Sequence, residues 1–290
     1  MIGHALMMIP FLVGGVGLPA PAAPDTVIRG SHTEAAGTRA WRLALPPHRE
    51  EPTPLLVMLH GCTQDADDLA RGTRMDALAG ARGMAVLYPE QDPAAHPLRC
   101  WNWYEPTHQE RDAGEPAILA GMIRAAVDEH GLDPARVFVA GMSAGGAMAA
   151  ILAATYPDLV AGMASHSGVP FGIARGLPAA TAALSGTLEV DLDAAAEAVR
   201  AAMGDRARPI PVLVIHGSED EIVSPRNAAW FQAQGMRIPG PPLLRIVTVD
   251  GLGHAWSGGD PAGTWTDPRG PDASTMILDF FRDMRQGGDP

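Results

Sequence analysis

Five residues, Gly141-Met142-Ser143-Ala144-Gly145, separate the apolar, β-branched run Arg136-Val137-Phe138-Val139-Ala140 from the small-residue run Ala144–Thr155. The first run reads as a buried strand and the second as a helix. A strand that turns into a helix within so few residues needs glycines, because adjoining backbones leave no room for a Cβ. In a chain with 33 glycines the pattern G-x-S-x-G alone says little. Its placement says more: a strand–turn–helix of this kind lifts the serine hydroxyl clear of the sheet and aims a helix N-terminus at it. Ser143 is the candidate nucleophile.

The rest of the chain repeats the alternation. Strands are predicted at Leu55–Leu59, Met84–Tyr88, Val137–Ala140, Val212–Ile215 and Leu244–Val249. Helical patterns occupy Asp67–Ala79, Pro116–His130, Ala144–Thr155, Leu192–Met203 and Ser274–Arg285, and Asp133-Pro134 reads as a turn into the Val137 strand. Such an order predicts an α/β fold with a mostly parallel central sheet and helices on both faces. Residues 171–210 interrupt it with a Gly/Ala/Pro-rich stretch holding one helix, expected to form a short cap over the site. A chain of 290 residues suffices for one large core, so residues 23–290 are expected to be a single catalytic domain.

A serine hydroxyl is a poor nucleophile at neutral pH and needs a base, which in turn needs a carboxylate to orient it. In folds of this type the order along the chain is Ser, acid, His. His166, His216 and His254 follow Ser143. His254 lies in the glycine-rich loop 251–259 just past the strand Leu244–Val249 and is the candidate base. His216 ends a strand and reads as a structural hydrogen-bonding residue, while His166 is a possible cleft residue. The loop His216-Gly217-Ser218-Glu219-Asp220-Glu221 offers three carboxylates. Asp220 is the candidate acid, and Glu219 and Glu221 are expected to be solvated. Acyl transfer also needs two N–H donors for the oxyanion. The backbone of Ala144 and that of Cys62, in the loop after the first predicted strand, are the candidates. Trp101 and Trp103 in Cys100-Trp101-Asn102-Trp103-Tyr104, together with Trp256, are expected to wall the substrate site.

Composition excludes other chemistries. The net charge is −12 and all 21 basic residues are arginine. Without lysine there is neither a Walker-type phosphate loop nor a lysine Schiff base, and an acidic chain is a poor nucleic-acid partner. No H-E-x-x-H or C-x-x-C occurs, so neither metal nor cofactor is expected. Residues 1–22 are apolar from Ala5 to Leu18 and end in Ala20-Pro21-Ala22, predicting a cleaved signal peptide, a secreted protein and no stable membrane anchor. Two cysteines, Cys62 and Cys100, favour a disulfide in an exported chain and two buried thiols in a cytosolic one.

Taken together, HGCTQ (60–64), CWNWY (100–104), DPARVFVAGMSAGGAMA (133–149), HGSEDEIV (216–223) and GLGHAWSGG (251–259) resemble the polyhydroxybutyrate depolymerase-like esterases, relatives of feruloyl and acetylxylan esterases. The resemblance runs over residues 24–285. It implies the α/β-hydrolase fold, a serine esterase with Ser143, Asp220 and His254 as its triad, Cys62 as an oxyanion donor, and a Cys62–Cys100 bridge. The implied substrates are 3-hydroxyacid oligomers or similar short-chain esters, with feruloyl or acetyl-xylan esters as the alternative. An acyltransferase or peptidase of the same fold is a more remote one.

Overall fold

A computed structural model describes residues 26–49, 52–235, 244–282 and 284. The predicted signal peptide lies outside the described residues. Eight strands form one sheet in the order β1-β2-β4-β3-β5-β6-β7-β8. They are β1 (Thr26–Glu34), β2 (Gly37–Leu45), β3 (Thr53–Leu59), β4 (Ala85–Glu90), β5 (Leu132–Met142), β6 (Gly162–His166), β7 (Val212–Gly217) and β8 (Leu244–Val249). The pairs β1/β2 and β2/β4 are antiparallel, and every pairing from β4 to β8 is parallel.

Alternation along the central strands feeds two cores. Leu55, Val57 and Leu59 of β3 face one side, and Leu56 and Met58 face the other. On the first face lie α3 (Gly114–His130), α4 (Ala144–Thr155), α5 (Leu177–Leu184), α6 (Leu192–Met203) and α7 (Arg226–Gly235). On the second lie α1 (Ala66–Thr73), α2 (Met75–Gly80) and α8 (Ala273–Phe281). This is the predicted α/β-hydrolase architecture. All twelve residues of α4 are buried, which explains why its sequence is apolar all round instead of amphipathic.

Several elements differ from the sequence expectation. The helix predicted at Asp67–Ala79 is two helices, broken at Arg74, whose φ of 55° is left-handed. Arg74 is held there by bonds from its guanidinium to the Gly258 carbonyl and Asp272. Asp133-Pro134 is an irregularity inside β5: Thr53 pairs with Leu132 but Leu55 with Val137, so the intervening residues bulge from the ladder. The hairpin β1–β2 was not predicted: β1 is mostly exposed and polar, and in β2 Arg39 and Arg42 break the apolar pattern ahead of the short buried run Leu43-Ala44-Leu45. Neither was β6, Gly162-Met163-Ala164-Ser165-His166, whose small residues are strand-forming because β5 and β7 flank it. The 171–210 segment holds two helices, α5 and α6, where one was predicted.

Candidate active site

Ser143 sits between β5 and α4 with φ 56° and ψ −121°, a backbone conformation unusual for a residue with a side chain. Steric contact enforces it. A Cβ on Gly145 would lie 2.1 Å from the Leu59 carbonyl oxygen, and one on Gly141 would lie 2.4 Å from the backbone of Gly145. The helix thus packs directly on the C-terminal ends of β3 and β5. The Ser143 N–H donates to the His166 carbonyl at 2.9 Å, joining the turn to β6.

Asp220 and His254 come from the loops after β7 and β8. These loops are bonded to each other: Ser218 N–H donates to the Val249 carbonyl (2.9 Å) and Glu219 N–H to that of Leu252 (3.0 Å). Gly217 permits the approach, since a Cβ there would lie 2.1 Å from the Leu252 carbonyl oxygen. His254 Nδ1 is 2.8 Å from Asp220 Oδ2. A carboxylate only accepts, so Nδ1 carries a proton, and in the neutral imidazole it is Nε2 that keeps the lone pair. Asp220 Oδ1 accepts from the N–H groups of Ile222 (3.0 Å) and Val223 (2.8 Å). Burial works to raise the Asp220 pKa, but its bonds with His216, His254 and Val223 hold it well below the ordinary carboxylate range. Glu219 and Glu221 are exposed, as expected.

One cavity gathers Ser143, His254, Gly61, Cys62 and Ala144. Among the described residues the Ser143 hydroxyl makes no hydrogen bond to His254; contacts of this kind are often long until substrate is bound. Cys62 and Cys100 form a disulfide with Cα atoms 4.2 Å apart. The predicted tryptophans divide. Trp103 lines the cavity. Trp101 does not: it is fully buried and its indole N–H donates to the His60 carbonyl at 3.1 Å. Trp256 is likewise buried, stacked on His166 with centroids 5.0 Å apart and bonded to Ser274. Both are core residues beneath the site, because each has its polar edge satisfied inside the protein. His166 is not a cleft residue either. It is fully buried, its Nε2 accepts from the Ser257 N–H at 3.2 Å, and burial beside His216 and His254 pushes its pKa down to about 3. His216 donates from Nε2 to the Val223 carbonyl at 2.8 Å, the structural role expected, and lies 3.5 Å from Asp220.

The sequence reading missed most of the apolar wall: Val169, Leu184 of α5, Ile222, Val223 and Trp265. Trp265 is 40% exposed at the cavity mouth. Its ring meets that of His254 edge-on at 5.8 Å, and its indole N–H donates to Thr63 Oγ1 at 3.0 Å. A lone aromatic in a loop of Gly, Pro, Asp and Thr was the available signal. The insertion thus contributes Leu184 to the site. Among the described residues, no group of three His, Cys, Asp or Glu side chains could hold a metal, and no helix is long and apolar enough to cross a membrane.

Comparison with known proteins returns the same family as the sequence resemblance. Poly(3-hydroxyalkanoate) depolymerase C of Paucimonas lemoignei is 35% identical over 175 residues, 60% of this chain and 42% of that enzyme. Feruloyl esterase B of Thermothelomyces thermophilus is 29% identical over 247 residues, 82% of this chain and 79% of that one. The chain therefore spans less than half of the first relative and about four fifths of the second. Among solved structures, an acetyl xylan esterase from Aspergillus awamori superposes with a TM-score of 0.71 over 88% of this chain and 99% of its own, at 19% identity, a likeness of fold. The profile of the family described as Esterase PHB depolymerase matches residues 39–244, most of the chain, and the protein belongs to that family.

Proposed function

We propose that the protein hydrolyses uncharged carboxylic esters through an acyl-enzyme on Ser143. The observation that carries this reading is the convergence of a strained serine and a carboxylate-bound histidine on one cavity that Cys62 and Ala144 also line. Ser143 Oγ would attack the ester carbonyl carbon while its proton passes to His254 Nε2. The carbonyl electron pair moves onto oxygen, facing the N–H groups of Cys62 and Ala144. Collapse expels the alkoxide, which takes the proton from His254. Water then repeats the sequence and releases the acid. Asp220 remains ionised throughout and stabilises the imidazolium.

The lining supports a neutral, modest-sized acyl or alcohol group. Apart from His254 the residues facing the cavity are apolar or neutral, with Trp103, Val169, Leu184 and Ile222 forming the walls. Esters of short 3-hydroxyacids fit such a lining. Similarity to a feruloyl esterase over most of both chains favours a second reading, a phenolic or acetyl ester on a polysaccharide. The disulfide supports export into an oxidising compartment, with residues 23–290 as the mature catalytic domain. Relative kcat/KM for p-nitrophenyl butyrate, 3-hydroxybutyrate oligomers, feruloyl esters and acetylated xylan tests these readings. Highest activity on the oligomers is expected, and a preference for feruloyl or acetyl-xylan esters would move the assignment to the second reading. Ser143→Ala should lose all of them while keeping its fold, and unchanged turnover would refute the proposal.

A further inference from the structure

Glu115, in the first turn of α3, is 1% exposed and lies outside the cavity, yet it accepts from three separate segments. Gln91 Nε2 donates to its Oε1 at 2.5 Å, Asn102 Nδ2 to the same oxygen at 2.9 Å, and the Asn102 N–H to Oε2 at 2.8 Å. Arg39 reaches Oε1 at 3.2 Å and His108 Nδ1 lies 3.3 Å from Oε2. A carboxylate buried at this depth persists only when its lone pairs are filled. Here they are filled by the segments that flank the disulfide: Gln91 Nε2 also donates to the Cys100 carbonyl at 2.8 Å, and Asn102 is two residues beyond Cys100.

From Gln91 the chain of bonds reaches the oxyanion loop. The Gln91 N–H donates to His60 Nε2 at 3.0 Å, so that nitrogen is an acceptor and the proton resides on Nδ1. Nδ1 is 2.8 Å from the Gly61 carbonyl oxygen and donates to it. That carbonyl belongs to the same peptide unit as the Cys62 N–H. In a planar trans peptide the C=O and N–H point in opposite directions. Gripping the carbonyl therefore sets the direction of the amide. Full burial pushes the His60 pKa down to about 4, so the imidazole stays in this neutral form across the ordinary assay range.

We propose that Glu115 is a positioning residue for ester hydrolysis, fixing the Cys62 amide in the oxyanion hole through Gln91 and His60. The inference rests on the proposed esterase reading of the cavity. It accounts for an ionised group held in the interior at a site that touches no substrate.

The test compares wild type, Glu115→Gln and Gln91→Met, each as the full chain, at a temperature below all their melting transitions. It measures kcat and KM on p-nitrophenyl butyrate. It also measures inhibition by an alkyl trifluoromethyl ketone, whose hemiketal with Ser143 places an oxyanion in the hole, and by the matching methyl ketone, which binds without that adduct. Both variants should lose about 10- to 100-fold in kcat with KM little changed. The trifluoromethyl ketone should weaken by the same factor as kcat/KM while the methyl ketone binds as before. Variants with lowered melting temperature but native kcat and native trifluoromethyl ketone affinity would overturn the proposal. So would equal weakening of both ketones, which reports a changed pocket. Should Glu115→Gln fail to fold, Gln91→Met decides, since it cuts the link and leaves Arg39 facing its carboxylate. Failure of the underlying reading has a different signature: wild type without esterase activity, or activity that survives Ser143→Ala.

Discussion

The two rims of the cavity are held by different forces. On the Ser143 side, Gly141 and Gly145 bring the turn against β3 and β5 backbone to backbone, and the geometry is steric. On the other side, Asp220, His254 and Cys62 come from segments far apart in sequence that are tied by hydrogen bonds and one covalent bond. A steric turn is written in consecutive residues and tolerates almost no change of volume. A polar rim is assembled from distant parts, and each tie can be cut singly. The Ser143 rim should thus fail by unfolding, the hydrogen-bonded ties of the polar rim by loss of rate, and its disulfide by both.

The largest expected effect is on the polar rim. Asp220→Asn keeps the shape but removes the charge that fixes the His254 tautomer, and kcat should fall about 10⁴-fold with the melting temperature little altered. Steady-state kinetics checks this, and a loss of only a few-fold would place the acid elsewhere. Next comes the covalent tie. Replacing both Cys62 and Cys100 by serine removes a cross-link closing a separation of 38 residues, and should cost about 2–4 kcal/mol in denaturant unfolding. It should lower kcat as well, because the oxyanion amide loses its anchor. Gly145→Ala probes the steric rim: overpacking against the Leu59 carbonyl should cost about 1–3 kcal/mol. Lost activity should follow the unfolded fraction, and a stable but inactive Gly145→Ala would erase the distinction between the rims.

The remaining expectation is a pH dependence of stability. Burial lowers the pKa of His60 from 6.5 to about 4 and that of His166 to about 3. An unfolded chain takes up protons at these imidazoles that the native protein refuses. Their contribution to stability is present above about pH 6.5 and is lost as pH falls through that window towards the native values. The slope should approach about 1.4 kcal/mol per pH unit for each histidine. Urea midpoints between pH 7 and 4 measure it, and His166→Gln should flatten the curve.

The same contrast explains what could be read before the structure. The turn at Ser143, β8, α4 and α6 are local patterns, and their predicted bounds coincide with those found. The polar rim was legible only as chain order, Ser then Asp then His, and as the loop motifs HGCTQ, HGSEDEIV and GLGHAWSGG, because loop contacts leave no periodicity. The strand β6 owes its conformation to its neighbours and carries no run of its own. Tryptophans were misjudged for a related reason. Trp101 and Trp256 stand next to motif residues in sequence, but their rings point into the core. Trp265, eleven residues beyond His254, folds back onto it across the loop. Glu115 gave no signal, since an acidic residue in a first helical turn is ordinary.

The central claim is a covalent one and can be weighed directly. Wild-type protein mixed with excess p-nitrophenyl butyrate and quenched in acid within milliseconds should gain the mass of one butyryl group, and peptide mapping should locate it on Ser143. A butyryl group found on another residue, or turnover with no adduct even in an Asp220→Asn variant slowed in deacylation, would contradict the account.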